Sequence, residues 1–145
     1  MPDANPYHFH ESAEDIRLEG WTLWAKLKRK DGSWNVAQLR LNYVLGNDDG
    51  EFTWDGGKAG DSAEGDPSLV YWQGYPIVRA SLQGEDGKFQ QADYNLSDTV
   101  GNDDGDFYFK FKGNDMRTTS DPDKFSCGIG YLWVDDGEID IDPFF

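Results

Sequence analysis

One seven-residue pattern occurs twice in this chain, and it decides most of what the chain can fold into. Gly46-Asn47-Asp48-Asp49-Gly50-Glu51-Phe52 returns 55 positions later as Gly101-Asn102-Asp103-Asp104-Gly105-Asp106-Phe107, with Glu51 against Asp106 as the sole difference. Each copy follows a short apolar run and precedes alternating aromatics. Gly adopts left-handed backbone angles without steric penalty, and Asn and Asp tolerate them. Both stretches therefore read as tight turns closing β-hairpins.

The copying extends beyond the turns. Val70, Trp72 and Gly74 echo Ile16, Leu18 and Gly20, and Val78, Ala80 and Leu82 echo Leu23, Ala25 and Leu27. Asp86-Gly87-Lys88-Phe89 echoes Asp31-Gly32-Ser33-Trp34, and Tyr94 and Leu96 echo Leu39 and Leu41. Period-two alternation over Trp21–Leu27 predicts a half-buried strand that Trp24 violates. In the next strand the apolar parity changes between Trp34/Val36 and Leu39/Leu41, which predicts a bulge or bend. Asn42–Leu45 predicts a single helical turn, and the Gly- and Asp-rich residues 55–66 a loop between copies. A copy of about 55 residues buries little surface alone, so the two must form one pseudo-symmetric unit. That unit is expected over residues 9–112, with repeats at about 9–62 and 63–112. Residues 113–145 form a C-terminal extension whose aromatics need burial; it is expected to pack on the domain, over Trp24, with Ile139 and Ile141 in an edge strand. A partner-binding tail is the other reading of this segment.

Aromatics at 15 % and 17 Gly, with no long amphipathic helical stretch, predict an all-β protein. The 28 acidic residues against 13 basic ones give a formal charge of −15, which repels phosphate backbones and anionic membrane surfaces. Neither nucleic acid nor membrane is an expected partner. Cys127 is the lone cysteine, so no intrachain disulfide can form. The N-terminal stretch lacks the basic start and apolar core of a secretory signal, and a reducing, cytoplasmic setting is the expectation. No metal or cofactor is expected. The Asp-Gly motifs fail the EF-hand spacing, which would need acidic residues where Leu45, Val100 and Leu132 stand. His8-x-His10 and Cys127 read as structural. Trp24 and Trp133 are the aromatics to watch for a ligand pocket.

The pattern Ile16-x-Leu18-x-Gly20, Leu23-x-Ala25, Asp31-Gly32-x-Trp34, Leu39-x-Leu41-Asn42, Gly46-Asn47-x-Asp49-Gly50-x-Phe52-x-Trp54, repeated, resembles the cyanovirin-N homologue family, and most of all its fungal members. The resemblance covers residues 9–112. It implies a pseudo-symmetric tandem-repeat all-β fold whose halves each hold a three-stranded sheet and a hairpin, with elements exchanged between the repeats. It implies a lectin for mannose-type oligosaccharides, with glycans or glycoproteins as partners and no metal. Family disulfide positions fall here on Ala13 with Leu27 and Pro67 with Leu82, apolar pairs that replace a cross-link worth about 2–4 kcal/mol. One implied sugar site comprises Glu11, Ser12, Lys28, Lys30, Asn102, Asp103 and Asp104. The other comprises Asn47, Asp48, Asp49, Ser62, Asp66 and Glu85. Asn47, Asp49, Asn102 and Asp104 match the family motif; the remainder are placed by position.

The residue chemistry suits that role. A pyranose presents adjacent hydroxyls that both donate and accept, and a carboxylate accepts from two of them while an amide or backbone N–H answers the rest. Hydrogen bonds to a charged acceptor contribute about 1.5–3 kcal/mol each. Two further readings stay open: an interaction module using an acidic tail, and a small cyclase- or isomerase-type enzyme with an aromatic pocket. Catalysis is the lesser reading, and a monomer the favoured state.

Overall fold

The computed structural model describes residues 7–128, 130–135 and 137–139. Strands β1 (Ala13–Glu19), β2 (Thr22–Lys28) and β3 (Trp34–Arg40) form one antiparallel sheet, and β6 (Ala63–Trp72), β7 (Tyr75–Gln83) and β8 (Phe89–Asn95) form its counterpart. Between them, β4 (Leu45–Asp48) and β5 (Glu51–Trp54) make the first hairpin. The second hairpin, β9 (Gly101–Asp103) with β10 (Asp106–Phe111), continues through β11 (Asn114–Thr118), β12 (Lys124–Cys127), β13 (Gly130–Asp135) and β14 (Glu138–Ile139) into a six-stranded sheet. Short 3-10 turns at Leu41–Tyr43 and Leu96–Asp98 feed the two hairpins. The first of these contains the start of the helical turn expected at Asn42–Leu45.

Both seven-residue patterns close two-residue loops. Asp49 and Gly50 have φ of 52° and 86°, and Asp104 and Gly105 have 51° and 95°. Two successive positive φ values make the turn whose twist matches that of paired strands. Lys112-Gly113 repeats the geometry between β10 and β11, with φ of 49° and 82°.

The expected bend in the second strand is absent. β3 pairs with β2 in unbroken register from Trp34↔Lys28 to Arg40↔Thr22. Trp34 and Val36 lie on the outward face, while Ala37 and Leu39 are buried. The register instead shifts in β1, between Glu14 and Arg17, where Asp15 has φ 53°. It shifts again in β6, between Glu64 and Ser68, where Gly65 has φ 74°. This second irregularity corrects one expected pair. Ala13 does face Leu27, but Leu82 faces Ala63, not Pro67, because the bulge absorbs the intervening residues. The expected loop over 55–66 also ends early: it carries a 3-10 turn at Ala59–Ser62 with Ala59 buried, and β6 begins at Ala63.

The main core gathers Phe9, Leu23, Leu27, Leu39, Leu41, Phe107 and Phe109 from both repeats. Ala80, Leu82 and Ala92 form a smaller cluster under β6–β8. Phe125 of the extension lies edge-to-face against Phe109 at 5.7 Å and Tyr43 at 6.3 Å. Met116, Cys127, Leu132 and Ile139 join the same core. Thr118 Oγ1 accepts the buried Phe107 N–H at 3.0 Å, and the Tyr43 hydroxyl donates to Asp123 at 2.5 Å. The extension thus pairs with β10 and packs toward β3; it does not lie over Trp24. That indole is capped by the Arg17 guanidinium, 5.6 Å from the ring centroid. Ile139 sits in the edge strand β14, and Ile141 lies outside the described residues.

Candidate functional site

Each turn docks on a hairpin belonging to the other repeat. At turn one, Asn47 Nδ2 donates to Ser62 Oγ at 2.7 Å and to the Gln83 carbonyl at 2.8 Å. Its Oδ1 accepts from the Gly50 N–H at 2.7 Å. Asp49 Oδ1 accepts from the Glu85 N–H at 2.8 Å. Gln90 Nε2 donates to the Gly50 carbonyl at 3.1 Å.

Turn two repeats the set bond for bond. Asn102 Nδ2 donates to Ser12 Oγ and to the Lys28 carbonyl, both at 2.9 Å, and its Oδ1 accepts from the Gly105 N–H at 2.9 Å. Asp104 Oδ1 accepts from the Lys30 N–H at 2.9 Å. Asn35 Nδ2 donates to the Gly105 carbonyl at 2.8 Å. The hairpin tips offer no room for larger residues: a Cβ on Gly50 would meet the Gln90 side chain at 2.7 Å, and one on Gly105 would meet Arg29 at 2.8 Å.

Both Asn amides spend their two protons inside the molecule, so they position the turns. What the turns present outward are carboxylates. Asp48, Asp49 and Asp104 are exposed. A carboxylate has about four lone-pair positions, and at Asp49 and Asp104 one is used by a backbone N–H. The two turns differ at one acid. Asp48 has no side-chain partner among the described residues, whereas Asp103 is ion-paired with Arg117 of β11. That hydrogen bond raises the Arg117 pKa above its ordinary value. Burial pushes the neighbouring Asp106 carboxyl above the usual carboxylate range; Arg29 opposes the shift, while Asp103 and Asp104 add to it.

Comparison with known proteins fits this doubled architecture. The model of the CVNH domain matches residues 9–108. The cyanovirin-N homolog of Neurospora crassa is 40 % identical over 110 residues, spanning 71 % of this chain and 98 % of its own. The chain belongs to the cyanovirin-N homologue family. Among solved relatives, the Gibberella zeae member is 38 % identical with a TM-score of 0.66, covering 70 % of this chain and 96 % of its own. A designed cyanovirin-N homolog lectin is 32 % identical with a TM-score of 0.65, covering 70 % of this chain and 98 % of its own. The family match ends within β10, so β11–β14 lie beyond it.

Within this cyanovirin-N homologue, Asn47, Asp49, Ser62 and Glu85 meet at turn one, and Ser12, Lys28, Lys30, Asn102 and Asp104 meet at turn two. Lys28 and Lys30 enter through backbone groups, as Gln83 and Glu85 do at turn one. Their side-chain types are therefore free to vary. Glu11 is exposed and lies 3.4 Å from His8 Nδ1. Asp66 is exposed in the β6 bulge, and no described residue bonds to its side chain. The sequence reading missed the braces Asn35 and Gln90, although a signal was present: both are carboxamides, set 55 positions apart after Trp34 and Phe89. It also missed Arg117, which carries no repeat partner. Among the described residues no cluster of three His, Cys, Asp or Glu is placed to hold a metal. Cys127 is buried, with its thiol 3.5 Å from the Gly130 carbonyl.

Proposed function

We propose that this chain is a lectin whose two Asn-Asp-Asp-Gly turns bind mannose-type oligosaccharides without a metal ion. The observation that carries the reading is the duplicated brace: at both turns a part-buried carboxamide and a backbone N–H fix a tight loop whose tip aspartate, Asp49 or Asp104, remains exposed. A turn fixed before binding loses little freedom on contact with ligand. Exposed carboxylates can then accept from vicinal hydroxyls while the hairpin backbones serve as further donors and acceptors. Relatives in the cyanovirin-N homologue family, including the designed lectin, support a carbohydrate ligand. A few hydrogen bonds in a shallow site give weak binding per site, and two sites raise avidity on branched glycans.

The test is a glycan array followed by calorimetry on Asp49→Asn and Asp104→Asn. Asparagine keeps the left-handed backbone and an oxygen for the Glu85 or Lys30 N–H, while it removes the charge and turns the second acceptor oxygen into a donor. Each substitution is expected to weaken binding at its own turn about tenfold, or about 1.4 kcal/mol. The double variant should bind about tenfold more weakly at both turns while retaining the wild-type melting temperature within a few degrees. Absence of any glycan binding by the wild-type chain at high density sinks the proposal.

A further inference from the structure

Among the described residues, an open, mixed polar and aromatic groove of about 480 Å³ lies outside the two turns, on the outward face of the six-stranded sheet; a second, of about 400 Å³ around Tyr71 and Trp72, lies on the β6–β8 sheet away from both turns. Cross-strand pairing sets Tyr108, Arg117, Ser126 and Tyr131 in one row across β10–β13, and Lys124 beside Trp133. Their strand neighbours Phe109, Met116, Phe125 and Leu132 fill the core beneath. On the outward face, Tyr131 and Trp133 stay 59 % and 56 % exposed. The Lys124 ammonium lies 4.1 Å from the Tyr131 ring centroid and 5.3 Å from that of Trp133. No carboxylate among the described residues pairs with Lys124.

The groove is continuous with turn two. Asp106, which lines it, pairs in register with Asp103. Arg117, which also lines it, holds the Asp103 carboxylate. With Asp103 held by Arg117, the acids Asp103, Asp106 and Asp121 face the bases Arg117 and Lys124, so the groove lacks the net positive charge that a phosphate or polyanion would need. Exposed aromatic faces suit the C–H face of a pyranose. Ser126 and the Asp106 and Asp121 carboxylates supply partners for its hydroxyls. Three interstrand steps of about 4.8 Å separate β10 from β13, roughly 14 Å in all, which is the reach of a short run of linked sugar rings.

We propose that the extension adds a saccharide subsite to turn two, in which a neutral oligosaccharide anchored at Asp104 runs past Asp106 and stacks a distal ring against Tyr131 and Trp133. This rests on the lectin reading of turn two. It makes the chain prefer longer glycans over disaccharides at that end, through strands that the family match does not include.

The test compares mannobiose with a linear mannotetraose and with chitotetraose, titrated into the full chain carrying Asp49→Asn to weaken turn one. Trp133→Ala removes an exposed ring and leaves the core untouched. It should weaken the preferred tetrasaccharide about tenfold and leave mannobiose unchanged, and the Trp133 indole N–H signal should shift with the tetrasaccharide alone. Trp133→Phe should restore part of the loss. Unchanged tetrasaccharide affinity in Trp133→Ala overturns this subsite and leaves the lectin reading standing. Failure of the Asp49→Asn chain to bind any of the three sugars overturns both the subsite and the lectin reading of turn two.

Discussion

Asn47 and Asn102 each make three hydrogen bonds within the chain, so their removal acts on structure before it acts on any ligand. Asn47→Ala takes its partner from the part-buried Gly50 N–H, whereas the exposed Gln83 carbonyl can turn to water. A part-buried polar group left unsatisfied costs about 1–3 kcal/mol. We expect about 2–3 kcal/mol of lost stability in chemical denaturation for Asn47→Ala or Asn102→Ala, with glycan binding at the affected turn lost alongside it. The adjacent aspartates behave differently. Alanine at position 49 or 104 must hold φ near 50°, where a side chain without local hydrogen bonding is strained. Asp49→Ala should therefore unfold at lower denaturant than Asp49→Asn by about 1 kcal/mol. Equal stability of the two variants would mean that the turn opens without penalty and that the brace is weaker than its geometry implies.

At the scale of elements, the extension is part of the core and not an appendage. Phe125 touches Phe109 and Tyr43 edge-to-face and is 1 % exposed. Phe125→Ala should cost about 3–5 kcal/mol, read as a shift in denaturation midpoint; a loss below 1 kcal/mol would show that β11–β14 detach before the rest unfolds. The second sheet is held more lightly: it sends Val78 into the main core, with Leu69 and Tyr94 packed against it, but its own cluster has two alanines and one leucine. Amide exchange should be faster in β6–β8 than in β9–β12. These elements also divide what the sequence disclosed from what it withheld. The turns were legible because left-handed backbone angles select Asn, Asp and Gly whatever surrounds them. The course of the extension was not, because nothing local in Lys124-Phe125-Ser126-Cys127 specifies pairing beside β11. The false bend in β3 came from equating apolar with buried: Trp34 and Val36 face outward. The roles of Lys28 and Lys30 were hidden for another reason. A backbone carbonyl or N–H leaves no mark on residue type.

Across the whole molecule, charge opposes the fold that the core supports. The formal charge of −15 comes from 28 acidic residues, and the ion pairs among the described residues engage few of them. Like charges on a compact surface repel, and salt screens that repulsion over a Debye length of about 10 Å at 0.1 M. Individual acids pull in both directions as pH falls. Asp93, hydrogen-bonded by the Arg79 fork, and Asp31, hydrogen-bonded by Ser33, have lowered pKa values. Their contribution is present above the unfolded-state pKa and is lost as pH drops through the folded one. Asp106, raised by burial, has the opposite sign: its contribution is present below the unfolded-state pKa and is lost as pH rises through the folded one. The repulsion involves many more carboxylates than these three, and it relaxes as they begin to protonate. Stability should therefore rise on moving from pH 7 toward pH 5 and fall again below about pH 4, where the Asp93 and Asp31 bonds are lost. Added sodium chloride at pH 7 should raise the melting temperature, by about 2–4 °C for each kcal/mol of repulsion screened. The same addition near pH 4 should do much less. A melting temperature that falls with salt at pH 7 would mean that attractive pairs outweigh the net charge, and that the acidic surface is a stabilising network.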